Sequence, residues 1–198
     1  MKTTTILLFA LALAACNAEA PPDLPSEAGA IPRDAAQPPP SDDPAPQAAT
    51  GLARLDGYGA MRFGMTEAEA RAAADVELDA LGPGDDPGAC HYLTPAGIDT
   101  PSDLAFMFEG DRFVRYDVGT DDTVAPGGGK RGMDADRIRA LYPQVADSPH
   151  KYVEGGRYLR IGAADGEGVL VFETDAAGVV GDWRAGVAPQ VDYVEGCS

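Results

Sequence analysis

The histidines and serines are the residues of this sequence that could carry acid–base or nucleophilic chemistry. The 198 residues contain two histidines, His91 and His150, and each lies beside the start of a predicted strand. A Ser-His-Asp site needs a positioned serine. The serines fall instead in segments predicted to be tether, turn or terminus: Ser26, Ser41, Ser102, Ser148 and Ser198. No G-x-S-x-G, H-E-x-x-H or P-loop pattern occurs. We therefore expect structural histidines at strand edges, and we assign no catalytic residue and no cofactor.

Acidic side chains are numerous, but their spacing selects neither a metal site nor a hydrolytic pair. Asp165-Gly166-Glu167-Gly168 resembles half of a calcium loop, yet the D-x-D-x-D-G spacing of an EF-hand is missing. Two carboxylates far apart in the chain would suit a glycosidase, although nothing in the sequence picks out such a pair. We expect most acidic residues to form a solvated surface and assign no metal ligand. A hydrolase with an unrecognised carboxylate site stays as an alternative.

Aromatic and arginine side chains on two predicted strands offer binding chemistry instead. Strict alternation in the strand 113–118 places Tyr116 on one face, and Phe113 with Arg115 on the other. Trp183 is flanked by two charged residues, so it too faces away from them. The candidate ligand-binding residues are Tyr116, Tyr158, Trp183, Tyr193, Arg115 and Arg184. Such a surface suits a protein partner, or a sugar ring stacked on the aromatic side chains. A position in the core is the competing interpretation for Tyr116 and Trp183.

The first 16 residues, MKTTTILLFALALAAC, have the pattern of an export signal. Lys2 precedes an apolar run that is shorter than the roughly 20 residues needed to span a bilayer. The sequence Leu13-Ala14-Ala15-Cys16 resembles the lipobox of bacterial lipoproteins. This resemblance implies that Cys16 is lipidated and anchors the protein through several acyl chains. Asn17 is similar to the pattern for export to the outer membrane. An ordinary signal peptide with a coincidental cysteine is the alternative.

Two further cysteines, Cys90 and Cys197, remain once Cys16 carries lipid. An even number of cysteines in an exported domain predicts one disulfide. Closing a loop of this length stabilises a fold by roughly 4–5 kcal/mol on the chain-entropy model. A metal or redox site is the competing interpretation of Cys90-His91, but no C-x-x-C spacing accompanies it.

Residues 17–50 have the composition of a disordered tether. They include nine prolines, nine alanines and six acidic residues, with no aromatic residue. Such a segment buries too little apolar surface to offset the entropy of ordering it, and its prolines favour an extended spacer. A proline-rich docking motif is the alternative. We therefore divide the chain into a signal peptide (1–15), a lipidated cysteine with a Pro/Ala-rich tether (16–50) and a globular domain (51–198).

An internal repeat organises the predicted elements of the globular domain. Gly64-Met65 precedes a T-x-x-E capping box, and Gly132-Met133 precedes a second helix cap at Asp134. Helices are predicted to about residue 74 and over ADRIRALY, before Pro143. Period-two patterns predict strands at 91–93, 104–109, 113–118, 151–153, 158–161, 169–173 and 179–184. The predicted fold class is α+β, an antiparallel sheet with helices on one face, built from two helix-plus-meander units in tandem.

This order of elements resembles two protein families. One is the SmpA/OmlA-type outer-membrane lipoproteins, which take part in outer-membrane protein assembly. The other is the β-lactamase-inhibitor protein, in which two such units form one concave sheet. That family has a disulfide within each repeat, whereas the cysteine pair predicted here joins the two halves. The resemblance implies a non-catalytic, protein-binding domain, and no interface residue is carried over from either family.

The charge balance argues against one class of partner. With 15 Lys and Arg against 32 Asp and Glu, the formal net charge is -17, which disfavours contact with nucleic-acid phosphates. The sequence therefore predicts a lipid-anchored cell-envelope protein on the outer membrane, facing the periplasm or the cell surface. Its expected partners are the membrane, through the lipid, and an envelope protein that it helps to assemble or inhibits. A lectin-like glycan binder is the alternative.

Overall fold

The structure, a computed structural model, describes residues 51–81, 90–98, 102–162 and 168–197. The predictions for the signal peptide, for lipidation of Cys16 and for the tether lie outside these residues. The calcium-loop resemblance at residues 165–167 also falls outside them. Within the described part of the chain, no helix combines the length and the apolar character that crossing a membrane requires.

The described residues form an α+β fold whose core is dominated by sheet. The elements are β1 (Ala53–Arg54), β2 (Gly57–Tyr58), β3 (Met61–Arg62), α1 (Glu67–Ala73), β4 (Leu78–Leu81), β5 (His91–Pro95), β6 (Leu104–Glu109), β7 (Arg112–Val118), α2 (Ala135–Leu141), β8 (Ala146–Pro149), β9 (Arg157–Gly162), β10 (Val169–Thr174) and β11 (Val180–Gly186). A short 3-10 helix follows at Gln190–Asp192. The predicted fold class is thus confirmed at the level of α+β.

The main sheet has eight strands in the order β4-β5-β6-β7-β11-β10-β9-β8. All neighbouring strands are antiparallel, and β1–β3 form a separate small sheet. The strands β7 and β11 pair at the centre, where Trp183 lies opposite Val118 and Arg184 lies opposite Asp117. Because side chains alternate along a strand, this register places Trp183 and Arg184 on opposite faces of the sheet.

One face of the sheet, here the inner face, packs against both helices. Its buried side chains include Phe106, Tyr116, Leu170, Phe172 and Trp183. Ala70 of α1 and Ile138 of α2 are fully buried in the same cluster. Burial of these apolar side chains supplies the main driving force for folding. The helices thus lie on one side of the sheet, as the sequence predicts.

The two Gly-Met pairs fix the helix starts to the sheet by equivalent hydrogen bonds. The Gly64-Met65 pair makes two backbone hydrogen bonds with Phe113, both 2.8 Å long. The Gly132-Met133 pair makes two with Val180, both 2.9 Å long. Both glycines have positive φ values, 88° and 80°, which side chains larger than hydrogen disfavour. The Gly-Met motif therefore marks the point where the chain leaves the sheet to start a helix.

The predicted capping box at the start of α1 is present. The Thr66 side chain accepts from the backbone N–H of Glu69, and the Glu69 carboxylate accepts from the backbone N–H of Thr66. At α2, Asp134 occupies the cap position without a side-chain cap hydrogen bond. The two helices therefore start at equivalent positions, but only α1 has a side-chain hydrogen bond at its N-cap.

Two details of the predicted strands are wrong. Residues 151–153 bend away from the sheet, because Nδ1 of His150 accepts the backbone N–H groups of Tyr152 and Val153, each at 3.1 Å. The edge strand is instead β8, just before them. The register between β6 and β7 shifts between Met107 and Phe108 of β6, where β7 has one extra residue, and this bulge moves Phe113 to the inner face. Strict alternation assigned Phe113 to the opposite face.

Candidate functional site

The side of the sheet opposite the helices is here called the outer face. The register places the following side chains on it: Met107, Arg115, Asp117, Tyr158, Arg160, Val171, Glu173, Asp182 and Arg184. Residues 187–197, here called the covering segment, lie over this face. The first of them, Val187, donates its backbone N–H to the carbonyl of Val114 at 2.9 Å. The outer face is therefore in contact with a stretch of the protein's own chain.

The six predicted binding residues do not form one surface. Tyr116 and Trp183 are 0% and 1% exposed, with ring centroids 5.8 Å apart in the inner-face core. The Tyr116 hydroxyl donates to the carbonyl of Arg54 at 2.9 Å. Both rings are needed to fill the space between the sheet and the elements packed on it, so they are unavailable to a ligand. The exposed aromatic patch expected from the sequence is therefore not assembled. The other four residues, Arg115, Tyr158, Arg184 and Tyr193, all contribute to the outer-face site.

Arg115 is buried beneath the covering segment, with 5% of its surface exposed. Its Nε lies 2.9 Å from both carboxylate oxygens of Asp117. Its Nη1 donates to the carbonyls of Tyr193 at 2.6 Å and of Gln190 at 3.2 Å. Burial disfavours the charged guanidinium, but the Asp117 carboxylate outweighs this effect and raises the pKa of Arg115. A permanently charged donor thus binds two main-chain carbonyls away from water.

Arg184 makes a second buried contact of the same kind. Its Nε donates to the carbonyl of Val191 at 2.6 Å, and its guanidinium pairs with the Glu173 carboxylate. The Tyr158 ring lies 5.9 Å from its Cζ, within the range of a cation–π interaction. Only 4% of Arg184 is exposed. Together the two arginines bind three main-chain carbonyls of the covering segment, those of Gln190, Val191 and Tyr193.

Val191 is the apolar anchor of the covering segment. It is fully buried and packs with Val169 and Val171 of β10 and with the Tyr158 ring. This second apolar cluster is separate from the inner-face core. Full burial of a valine side chain stabilises a contact by roughly 1.5–3 kcal/mol. The segment is therefore held by one side chain as well as by its carbonyls.

Polar contacts at the rim complete the attachment. Arg160 pairs with Asp192 at 2.9 Å, and Lys151 pairs with Glu195 at 2.8 Å. The amide of Gln190 donates to Glu109 at 2.5 Å. The two ion pairs are exposed to solvent, so each contributes at most about 1 kcal/mol. The rim fixes the position of the segment, whereas the buried arginines and Val191 supply most of its stability.

The predicted disulfide is present between Cys90 and Cys197, with 5.2 Å between the Cα atoms. It closes a sequence separation of 107 residues and joins the covering segment to the start of β5. Both cysteines are half-buried and line a cleft of about 290 Å³ with Lys151 and Glu109. Gly196 passes close to Tyr92, since a Cβ at that position would lie 2.6 Å from the tyrosine oxygen. The disulfide thus fastens the far end of the segment.

Two carboxylates lie next to each other on the outer face. Asp182 lies directly opposite Glu173 in the β10–β11 pair. Reduced hydration and the neighbouring Glu173 charge raise the pKa of Asp182 to about 6. The Arg184 guanidinium opposes this effect only in part. The outer-face side chains thus include three carboxylates, of Asp117, Glu173 and Asp182, and three guanidinium groups, of Arg115, Arg160 and Arg184.

Both histidines make structural contacts. His150 accepts two backbone N–H groups at Nδ1, so the proton is on Nε2, which donates to Glu173 at 3.0 Å. Its ring stacks on Tyr158 with centroids 4.4 Å apart. His91 pairs through Nε2 with Glu67 at 2.9 Å. Within the described ranges, no group of three His, Cys, Asp or Glu residues is arranged to bind a metal ion.

Sequence reasoning missed the residues that the covering segment contributes, chiefly Gln190, Val191 and Asp192. Alternation did place Arg115 opposite Tyr116, and the charged neighbours of Trp183 opposite that ring, but it did not show that these charges share one face or what covers them. A usable signal was the predicted disulfide. Residue 186 ends β11, and Cys90 precedes β5. A chain that joins the two must cross β7 and β6, which lie between those strands.

Comparison with known proteins leaves the function to be argued from this geometry. No family model matches the chain, and no curated protein matches it. A solved structure of an extracellular protein containing an SCP domain, from Bacillus anthracis str. Ames, is similar to 63% of this chain at 8% identity. The TM-score is 0.43, and the similarity spans 44% of that protein, less than half of its length. A likeness this slight supports no conclusion about fold or activity.

Proposed function

We propose that this protein is a lipid-anchored component of the bacterial cell envelope whose globular domain binds another protein and catalyses no reaction. The observation that carries the proposal is the outer face. There, Arg115 and Arg184 are buried, charged and directed at main-chain carbonyls of residues 190, 191 and 193, in and next to a 3-10 turn. Contacts of this kind bind a polypeptide through its backbone. The rings expected to stack on a sugar, Tyr116 and Trp183, are buried in the core, which favours a protein over a glycan.

Two features support the envelope location. The sequence Leu13-Ala14-Ala15-Cys16 has the lipobox pattern, and a Pro-rich segment separates it from the domain. The Cys90–Cys197 disulfide fits an oxidising compartment outside the cytoplasm. An outer-membrane anchor, with the domain facing the periplasm or the cell surface, is part of the proposal.

The domain is further proposed to consist of two helix-plus-meander units in tandem. The equivalent hydrogen bonds of the two Gly-Met pairs support this arrangement, as do the four strands that follow each helix. The eight-stranded order also supports it, because β4–β7 and β11–β8 meet at the central β7–β11 pair.

Replacing the lipobox cysteine tests the anchor. In cells that make the full chain, Cys16→Ser is expected to move the protein from the membrane fraction to the soluble fraction, because the acyl chains are lost. The released protein should keep the native unfolding transition, since the disulfide and the domain are unchanged. Fractionation followed by thermal unfolding measures both. Unchanged partitioning into the membrane would contradict the anchor.

Site-specific photocross-linking tests protein binding by the outer-face side. A photoreactive residue replaces Ala188, an exposed alanine of the covering segment, in the full-length protein in its native envelope. The matched control replaces Ala140, an exposed alanine on α2 on the other side of the sheet. We expect a discrete adduct, identified by mass spectrometry, from position 188 and not from position 140, in untreated envelopes or in envelopes treated with dithiothreitol. Equal adducts from both positions, or none from position 188 in either sample, would reject the proposed surface.

A further inference from the structure

The covering segment binds the outer face in the way that a peptide ligand would. Its backbone supplies the three carbonyls bound by Arg115 and Arg184. Its side chains supply one buried apolar group, Val191, and a neighbouring acidic group, Asp192, which pairs with Arg160, while Gln190 and Glu195 add polar contacts at the rim. The central contacts define the chemistry that the face recognises, namely a branched apolar residue followed by an acidic residue, carried on a short 3-10 turn at Gln190–Asp192.

The covering segment is only partly buried. Ala188, Pro189, Asp192 and Glu195 are exposed, and Val191 is the one fully buried side chain among the described residues 187–197. A bound segment with a single buried side chain depends strongly on being held nearby. Here that constraint comes from β11 at one end and from the disulfide at the other.

The disulfide lies beside a cleft that opens to solvent. Cys90 and Cys197 are both half-buried, and both line the polar cleft beside Lys151. Attack by a dithiol forms a mixed disulfide, and the second thiol of the reagent then closes it into a cyclic disulfide. The protein gains two electrons and two protons as Cys90 and Cys197 become thiols, and the dithiol is oxidised by the same amount. One end of the covering segment is then free.

We infer that residues 187–197 are a displaceable intramolecular ligand of the outer face. Reduction of Cys90–Cys197 by a dithiol releases this ligand, and the face then binds a peptide segment of another protein that forms the same 3-10 turn. That peptide presents a branched apolar residue followed by an acidic residue. The inference rests on the proposed protein-binding function and adds the class of peptide and the means of regulation.

The test uses the full-length chain and a labelled peptide, VAPQVDYVEG, which reproduces residues 187–196. The oxidised protein is compared with the protein treated with dithiothreitol and with Cys90→Ser/Cys197→Ser. A third variant adds Val191→Asp to the double substitution, because a segment attached to the chain competes with free peptide at a millimolar effective concentration. Hydrogen exchange measures release of the segment, and fluorescence anisotropy measures peptide binding.

We expect amide exchange in residues 187–197 to become at least about tenfold faster after reduction or in the double variant. Amides of β10 and β11 should stay protected, which shows that the domain remains folded. The peptide should bind the third variant at least about tenfold more tightly than it binds the oxidised protein. Val191→Asp in the peptide should weaken this binding by at least about tenfold.

Two results would overturn the inference, and they differ in what else they affect. Exchange that is unchanged by reduction shows that the segment is not released, and leaves the cross-linking test of the proposed function unaffected. Faster exchange without peptide binding shows that the exposed face recognises no such peptide. That second result removes both the inference and the peptide recognition on which the proposed function depends.

Discussion

Replacing either Cys90 or Cys197 with serine is expected to lower the free energy of unfolding by roughly 4–5 kcal/mol. The disulfide closes a sequence separation of 107 residues, so its loss returns a large conformational entropy to the unfolded chain. The two single variants should be equally destabilised, because each removes the same bond. Urea unfolding, with a linear extrapolation to water, measures the loss.

The double variant is the control for this result. The free energy of unfolding of Cys90→Ser/Cys197→Ser should lie within a few tenths of a kcal/mol of that of either single variant. Two changes that remove the same bond are not additive. Wild-type protein with a reducing agent should unfold at the same urea concentration as the double variant. Additive losses in the double variant would show that the cysteines stabilise the fold by separate contacts.

Replacing Arg184 with methionine is expected to destabilise the fold by about 3 kcal/mol or more. The substitution keeps the length of the side chain but leaves the Glu173 carboxylate without its buried cation and the Val191 carbonyl without its donor. Removing one partner of a buried ion pair is costly, because the remaining charge has lost both its hydration and its counter-ion. Equilibrium unfolding at neutral pH measures the effect.

Arg160→Met is the matched control, because Arg160 also binds the covering segment, through Asp192, but at an exposed position. We expect it to cost at most about 1 kcal/mol. Arg184→Lys should fall between the two, since an ammonium keeps the charge but lacks the planar donors that reach Glu173 and Val191 together. An Arg184→Met protein as stable as the Arg160→Met protein would show that the buried contacts do not hold the segment.

The helices and six of the eight strands of the main sheet could be predicted because their signals are local. The capping box at Thr66, the stop at Pro143 and the apolar runs of β6 and β10 each depend on a few adjacent residues. The missed features depend on distant partners. The bulge that turns Phe113 inward arises in its pairing with β6, and the bend at 151–153 arises from the ring of His150.

The site could be predicted only in part for the same reason. The charges of Arg115 and Arg184 were visible in the sequence, and so was the cysteine pair. Whether an aromatic residue between charged neighbours faces solvent depends on which face the helices cover, and the sequence pattern is symmetric in that choice. Tyr116 and Trp183 therefore suited a ligand surface and a core equally well until the packing of Ala70 and Ile138 was known.

The edge strand β8 has a consequence for how copies of this protein behave at high concentration. An open strand edge is a template on which other chains add strands and aggregate. Here the edge is short and fully exposed, and Pro149 has no N–H to offer a new strand. Asp147 adds a charge that Arg139 and Arg157 hold in place, each at 2.6 Å. Copies of the domain at high concentration would therefore meet at this edge without polymerising through it.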